Sequence, residues 1–484
     1  MRDYFLYLIA AAGVAVLYTC ASQKLFGIGF PLDDAWIHQT YARNLVLIGD
    51  WVYRAGVPSG GSTAPLWTAI LALGYLLKIP ALLWSAIIGV CLLAGTALLL
   101  QIWLKMQGLE ISWRRALPLL VVFEWHLVWS ALSGMETLAI TLIIVLVFCL
   151  QEMHDVPLFW LGVVTGLAVC LRPDAVTLMG PVAWMWFFRS REKELAFWPG
   201  MIRVGAGLLL ILVPYLIFNR LVAGSWWPNT FYAKQTEYAV MRQAALTKRL
   251  LIILQPFVGL NSVLLAGYLY YVIAIFKERK WLALAPGIWA LGYLIIFAWR
   301  LPVVYQHGRY AMPTIPVFLM LGIIGWKKIS DLPQTAWARR VISRGWIVAV
   351  SVLSIVFLFL GGHAFAVDVA IIETEMVATA KWLEANTMET DLIAAHDIGA
   401  LGYFSKRDIL DLAGLISPEV IPIMRDENAL AGFLEENGAD YLMTFPGWYP
   451  ELVGNATERV YLSDAQFSII AGGENMTVYR WGTD

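Results

Sequence analysis

Charge is scarce in this chain and evenly split: 34 Lys and Arg stand against 35 Asp and Glu, and charged residues make up 14% of 484. A net charge of -1 leaves no accumulated cation with which to neutralise a phosphate backbone, so nucleic acid is not the expected partner. Cysteine is rarer still. Cys20, Cys91, Cys149 and Cys170 lie in or at the ends of apolar segments, at spacings that suit neither a disulfide framework nor a metal site, and they read as small buried hydrophobes. There is no G-x-S-x-G elbow to present a nucleophilic serine, and Gly399-Ala400-Leu401-Gly402 lacks the third glycine of a dinucleotide fingerprint. What is abundant is apolar: 60% of residues are hydrophobic. With a mean hydropathy of +0.68, this is the composition of a polytopic membrane protein.

A helical crossing takes about 17 to 25 apolar residues. The hydropathy pattern predicts about eleven spans, near 4–23, 81–104, 116–133, 137–151, 157–171, 173–188, 204–221, 256–276, 281–299, 310–326 and 345–365. The first reads as a retained anchor rather than a signal peptide, because many spans follow it. Residues 65–79 are apolar but short and read as an interfacial or re-entrant helix. This choice places the dense basic clusters on one side: Arg2; Lys105, Arg114 and Arg115; Arg189, Arg191, Lys193 and Arg203; Lys277, Arg279 and Lys280; Lys327, Lys328, Arg339, Arg340 and Arg344. The positive-inside rule then puts the N-terminus in the cytoplasm and the C-terminal domain outside. The expected organisation is a membrane module at residues 1–365, with an outer juxtamembrane loop at 24–80, and a soluble α/β domain at 366–484.

The same topology gathers polar residues on the outer face. Phe30-Pro31-Leu32-Asp33-Asp34 leads into Trp36-Ile37-His38 and Tyr41-Ala42-Arg43-Asn44, placing two adjacent carboxylates, a histidine and a tyrosine beside the membrane. On a helix Asp34 and His38 share a face, while Asp33 lies near Ile37. The Gly- and Ser-rich turn at 59–63 ends that segment, and Trp51 and Trp67 suit the headgroup level. Glu136 follows a tight turn at Ser133-Gly134, where it reads either as a helix-start charge or as a functional acid. Arg172 and Asp174 flank Pro173, with local capping and ligand contact both open. In Ser225 to Lys234 an aromatic belt explains Trp226 and Trp227, but not Asn229, Tyr232 and Lys234. Arg309, beside His307, suits a phosphate because its planar fork makes paired charge-assisted hydrogen bonds; snorkelling to headgroups is the plainer reading.

In the C-terminal segment the pattern predicts helices near 375–385 and 429–437, a turn and short helix at 398–404, strands near 391–397, 409–412 and 439–444, and a closing hairpin from 467–471 and 476–481. His396, Asp397 and Asp411 fall at strand ends, where open sheets favour ligands.

Six motifs in order, Leu32-Asp33-Asp34-Ala35-Trp36 with Tyr41-Ala42-Arg43-Asn44, Gly61-Ser62-Thr63-Ala64-Pro65-Leu66-Trp67, Gly134-Met135-Glu136-Thr137, Arg172-Pro173-Asp174, Pro228 to Lys234, and Gly308-Arg309-Tyr310, resemble the polyprenyl-phosphate-sugar-dependent glycosyltransferases of the GT-C fold. The soluble segment from His396-Asp397-Ile398-Gly399-Ala400 to Asp411-Leu412-Ala413-Gly414-Leu415 extends the similarity, which is greatest to the terminal arabinofuranosyltransferase-like branch. The resemblance implies a multi-pass enzyme of a bacterial or archaeal plasma membrane. It would take a polyprenyl-phosphate-linked sugar donor from membrane lipid and a glycan or glycolipid acceptor, inverting the anomeric centre. It implies a catalytic acid at Asp33 or Asp34, with Asp33 favoured as base and Asp34 orienting the acceptor or sharing the role. Arg309, Lys234, Tyr232 and His307 become donor-phosphate contacts; His38, Tyr41, Glu136, Arg172, Asp174, Asn229, His396 and Asp397 frame sugar and acceptor. Adjacent carboxylates are oxygen ligands of the kind a divalent cation takes, though no complete ligand set is evident and no metal site is assigned. A lipid-linked sugar flippase or transporter is the competing expectation, and its paired inverted repeats are not seen. A non-catalytic assembly protein on the same scaffold is the third, against which the retained Asp33-Asp34 pair argues.

Overall fold

Segments that are apolar all round have no polar face to leave in water, and in lipid their backbone groups must pair internally, so they become helices. The computed structural model describes residues 2–153, 155–303, 305–332 and 335–482; the side chains of Ser112, Ala336, Ala338, Arg339 and Ile342 fall outside the description, so Arg339 of the last basic cluster does too. Among the described residues, seven helices are long and apolar enough to cross a membrane: Arg2–Leu25, Ala81–Met106, Phe197–Ala223, Leu260–Lys277, Trp281–Arg300, Tyr305–Ser330 and Ser343–Asn386. The chain is thus a polytopic α-helical membrane protein with a β-containing domain at its C-terminal end.

The expected count of about eleven is not confirmed by length alone: seven helices pass, or eight if one bent pair is a single span. Residues 113–132 break into Trp113–Val122 and Trp125–Leu132, bent by 57°. The break has a cause: buried Glu124 accepts from the Leu127 backbone N–H at 3.0 Å and pairs with His126 at 2.7 Å, so it caps a new helix. Thr137–Glu152 and Leu158–Leu171 have 16 and 14 residues. At 1.5 Å per residue they are about 24 and 21 Å long, shorter than a hydrocarbon core of about 30 Å, yet they join the end of the bundle that holds Glu136 and Arg172 to the end that holds Arg189. The segment after Leu171 starts as a 3-10 turn, Pro173–Leu178, before the helix Met179–Glu192.

Loop contacts sort the two ends of the bundle. Arg115 pairs with Asp3 at 3.2 Å, Arg189 donates to the carbonyls of Gln151 and Met153, and Lys328 pairs with Glu278 at 2.6 Å. These basic clusters therefore lie at one end. At the other, Arg309 meets Asp34 and the Thr230 hydroxyl donates to the Gly61 carbonyl at 3.1 Å.

The first outer loop carries a helix, Asp34–Leu47, and a short ribbon of β1 (Val52–Arg54) and β2 (Val57–Pro58). Pro65–Leu76 follows; at 12 residues, about 18 Å, it is too short to cross. Trp67 does not face the headgroups as expected. It is buried, and its indole N–H donates to the Gly134 carbonyl at 2.8 Å, tying the loop to the turn before Glu136. Trp51 is likewise drawn inward, stacked on Tyr41 with ring centroids 5.5 Å apart.

No linker separates the membrane module from the C-terminal domain, because the helix Ala336–Ile372 passes through a π-helical turn, Glu373–Val377, into Ala378–Asn386. Five strands follow: β3 (Leu392–Ala395), β4 (Asp408–Asp411), β5 (Tyr441–Thr444), β6 (Glu458–Leu462) and β7 (Thr477–Arg480), in the order β4-β3-β5-β7-β6. The apolar run of β3 suits its place between two parallel neighbours, with Ala395 opposite both Asp411 and Met443. The expected closing hairpin is corrected: β7 pairs with β6, while Gln466–Ile470 is a short helix. A five-residue apolar run does not distinguish strand from helix by period.

Helix Gly399–Phe404 docks this domain on the first outer loop. Trp36 lies 4.7 Å from the Tyr403 ring and 4.8 Å from that of Phe404, Arg43 donates to the Tyr403 carbonyl at 2.7 Å, and the Tyr53 hydroxyl donates to the Ile398 carbonyl. The packing is close: a Cβ on Gly399 would run into the Asp33 carbonyl oxygen.

Candidate active site

Asp33 and Asp34 are neighbours in sequence but face different partners. Both Asp33 carboxylate oxygens accept backbone N–H groups of the C-terminal domain, from Gly399 at 2.6 Å and Ala400 at 2.7 Å. Burial first, and then the charge of Asp397, raise its pKa above the usual carboxylate value, with the two N–H groups opposing. Asp33 is 7% exposed, and each of its carboxylate oxygens is already bonded to the C-terminal domain.

Asp34 opens the first-loop helix and points to cations. Its Oδ2 accepts from Arg309 Nη2 at 2.9 Å, and Lys234 Nζ is 3.9 Å away. Burial opposes ionisation, yet Arg309 and Lys234 outweigh it and hold the Asp34 pKa down at about 2. The Tyr310 hydroxyl joins the group, accepting from Lys234 at 2.8 Å and from Arg309 at 3.4 Å. Arg309 is aimed by a left-handed turn, since Gln306, His307 and Gly308 all have positive φ, at 55°, 57° and 71°. Only Gly308 adopts that region without cost, and its Cα faces Pro256 too closely for a Cβ.

Around this core lie further expected residues. His38 Nδ1 contacts Ser62 Oγ at 3.1 Å and Thr68 Oγ1 at 3.0 Å, while its Nε2 is 3.8 Å from Glu136. Glu136 makes no capping hydrogen bond. Arg172 pairs with Asp174 at 3.1 Å and lies 5.2 Å over the Tyr310 ring, and the Tyr293 hydroxyl donates to Asp174. From the C-terminal domain come Asp397, whose charge is felt at Asp33, and His396, which contacts the Tyr449 hydroxyl at 2.7 Å and lies 3.8 Å from Glu237. Burial disfavours the charged imidazole, but Glu237 prevails and raises the His396 pKa.

Several of these side chains are incompletely paired. Arg309 Nη1, Arg172 Nη1, Glu136 Oε2 and Asp397 Oδ2 are buried with no hydrogen-bond partner among the described residues. Buried charged atoms almost always find partners, so four orphans converging near one ion pair mark a place built for a polar ligand.

Other expected residues lie elsewhere. His307 Nε2 contacts Asp368 at 2.7 Å, an oxygen shared with the Trp129 indole N–H at 2.8 Å, so the ring anchors the last span instead of joining Arg309. Tyr232 is exposed and packs edge-on against Phe231 at 5.4 Å. The Tyr41 hydroxyl contacts Ser59 Oγ at 2.6 Å and accepts from the Gly61 N–H at 3.0 Å, fixing the glycine turn. Asn229 donates to the Leu415 carbonyl at 3.2 Å. Asp411 accepts from the backbone of Ala413, Leu415 and Ile416, the nearest two at 2.5 and 2.7 Å, and shapes its own loop. Among the described residues no group of three His, Cys, Asp or Glu side chains is arranged to hold a metal ion, and the divergence of Asp33 from Asp34 explains why the adjacent pair does not start one. Sequence reasoning missed Tyr310, Tyr293, Tyr449 and Glu237 as site residues. For Glu237 a signal was present, as it lies three residues after Lys234 on the helix Asn229–Glu237.

Residues 369–479 match a domain family of unknown function, DUF8728. No curated protein matches the chain by sequence. Solved structures do match by fold. ArnT from Cupriavidus metallidurans bound to undecaprenyl phosphate aligns with a TM-score of 0.60 at 14% identity, over 98% of this chain and 98% of that one. The same protein in the apo state aligns at 0.62 and 13%, over 100% and 99%. The Archaeoglobus fulgidus oligosaccharyltransferase in the apo form aligns at 0.61 and 11%, over 91% of this chain and 69% of that one. At these identities the likeness is one of fold: the chain shares the architecture of these two proteins over most of its length.

Proposed function

We propose that this protein is an inverting glycosyltransferase of the terminal arabinofuranosyltransferase-like branch, moving a sugar from a polyprenyl-phosphate donor to a hydroxyl of an extracytoplasmic glycan or lipid-linked acceptor. The observation that supports it most is the ion pair of Asp34 with Arg309 and Lys234, ringed by buried charged atoms that lack partners. Arg309 and Lys234 would hold the donor phosphate, Arg309 through its unused Nη1. Asp34, rather than Asp33, would be the base. A carboxylate pinned near a pKa of 2 takes protons poorly, but a phosphate that draws Arg309 and Lys234 to itself releases Asp34 and raises its basicity at the moment it is needed.

In the transfer, the acceptor oxygen bonds to the anomeric carbon as its proton passes to Asp34. The anomeric carbon–oxygen bond to phosphate breaks, and polyprenyl phosphate leaves with that electron pair, its charge met by Arg309 and Lys234. His38, Glu136, Arg172 and Asp174 would frame the sugar, with Asp397 and His396 on the acceptor side. Asp33 would clasp the C-terminal domain so that Asp397 stays beside the transfer centre. By the positive-inside rule the basic end of the bundle is cytoplasmic, which sets this centre at the outer face of a bacterial or archaeal plasma membrane. The test is sugar transfer by the full chain in vesicles supplied with polyprenyl-phosphate sugars. The wild type should transfer and Arg309→Ala should bind the donor more weakly; equal donor affinity in the two would sink the phosphate assignment.

A further inference from the structure

A charged cavity lies at the opposite end of the bundle from Asp34. It is a cavity of about 410 Å³ between the start of helix Leu158–Leu171, the end of helix Met179–Glu192 and the start of helix Phe197–Ala223. Arg189, Lys193 and Arg203 line it together with Phe159, Met185 and Trp186. Asp155, exposed and 3.9 Å from Lys193, is the acid of the lining, and Glu152 and Glu192 face Arg189 from behind the wall, so among the described residues the cation with no acid set against it is Arg203 at the cavity's mouth.

The apolar side of the cavity is as built as the charged side. The Trp186 indole N–H donates to the Phe197 carbonyl at 2.7 Å, and the ring lies so close to Gly200 that a Cβ there would overlap it. Arg189 is fixed by the carbonyls of Gln151 and Met153, at the C-terminal end of helix Thr137–Glu152. Just outside, Trp160, Trp198 and Ile202 are exposed, a rim suited to acyl chains and to the headgroup boundary where indoles settle.

We infer that this cavity seats the phosphate headgroup of an anionic membrane phospholipid, with its acyl chains against the exposed rim. Three cations within an aromatic wall at the level of a membrane surface match a phosphodiester charge next to hydrocarbon. A free phosphate would satisfy the cations and leave the rim unused. A zwitterionic lipid would bring its own cation toward Arg189 and Arg203. The site is independent of the transfer centre, which lies at the far end of the same helices, where Arg172 and Asp174 stand.

The test uses the purified full chain in nanodiscs of dioleoylphosphatidylcholine alone or with dioleoylphosphatidylglycerol. Lipid retention is read by native mass spectrometry and the thermal unfolding midpoint by scanning fluorimetry. The wild type should retain phosphatidylglycerol in preference to phosphatidylcholine and melt higher in its presence. Arg203→Gln and Lys193→Gln should each weaken retention roughly fivefold, the effect of one basic residue near an anionic surface, while Lys277→Gln at another basic cluster should not. Arg203→Lys should restore most of the retention, which separates loss of charge from loss of fold. Retention unchanged in the double variant Lys193→Gln/Arg203→Gln, or equal for the two lipids, would overturn the inference. So would full displacement of phosphatidylglycerol by millimolar inorganic phosphate, which would mark a free-anion site.

Discussion

Replacing Asp34 by Asn separates the two things this carboxylate does. It is the partner of Arg309 at 2.9 Å and of Lys234 at 3.9 Å. With an effective dielectric constant near 20, the first contact alone is worth about 6 kcal/mol of Coulomb attraction. The Asp34 side chain is 33% exposed, so water screens the pair, and a net of roughly 1–2 kcal/mol is the reasonable size. A donor phosphate competes with Asp34 for the same cations. Removing the carboxylate should therefore tighten donor binding by about five- to thirty-fold, while loss of the base lowers kcat by about 10²–10⁴. Donor affinity would be measured by titrating a labelled polyprenyl-phosphate sugar, and kcat by transfer at saturating donor. An Asp34→Asn protein that folds and keeps its kcat refutes the assignment of the base. One that binds donor more weakly refutes the competition.

Asp33→Asn should behave differently. It leaves one of the Gly399 and Ala400 N–H groups facing an amide donor, at a cost of about 1.5–3 kcal/mol. Faster hydrogen exchange over 396–404 with donor affinity unchanged is the expected outcome, Gly399→Ala should reproduce it, and a loss of donor binding without faster exchange would contradict the clasp. Acid should expose the Asp34 pair. Its folded pKa of about 2 lies below the unfolded value of about 3.9, so its contribution to stability is complete above pH 4 and is lost as pH falls toward 2. The difference in unfolding midpoint between the wild type and Asp34→Asn should shrink over that window; a constant difference from pH 5 to 2 would count against the pairing.

Much of the site was legible because polar residues in an apolar chain are conspicuous. Asp34, Lys234, Arg309, His38, Glu136, Arg172 and Asp174 all stood out at the ends of hydrophobic runs, and the structure brings these seven together. What misled was local context. His307 stands two residues from Arg309, but a left-handed turn sends the two side chains to different partners, Asp368 and Asp34. Asp33 and Asp34 are equivalent in sequence, and no local rule says which of them meets the N–H groups of Gly399 and Ala400 more than 360 residues later.

Composition and periodicity by themselves determined that the chain lives in a membrane, where its charges lie and that a small α/β domain follows, because the cost of placing polar groups in hydrocarbon is paid residue by residue and is written in every segment. Tertiary structure alone decided where one span bends, since Glu124 caps a new helix in a segment that hydropathy would continue. It also decided which aspartate faces Arg309 and Lys234 and which faces the last domain. That depends on a contact between the first loop and the last domain, and a contact across the whole chain leaves no mark in the neighbourhood of either residue.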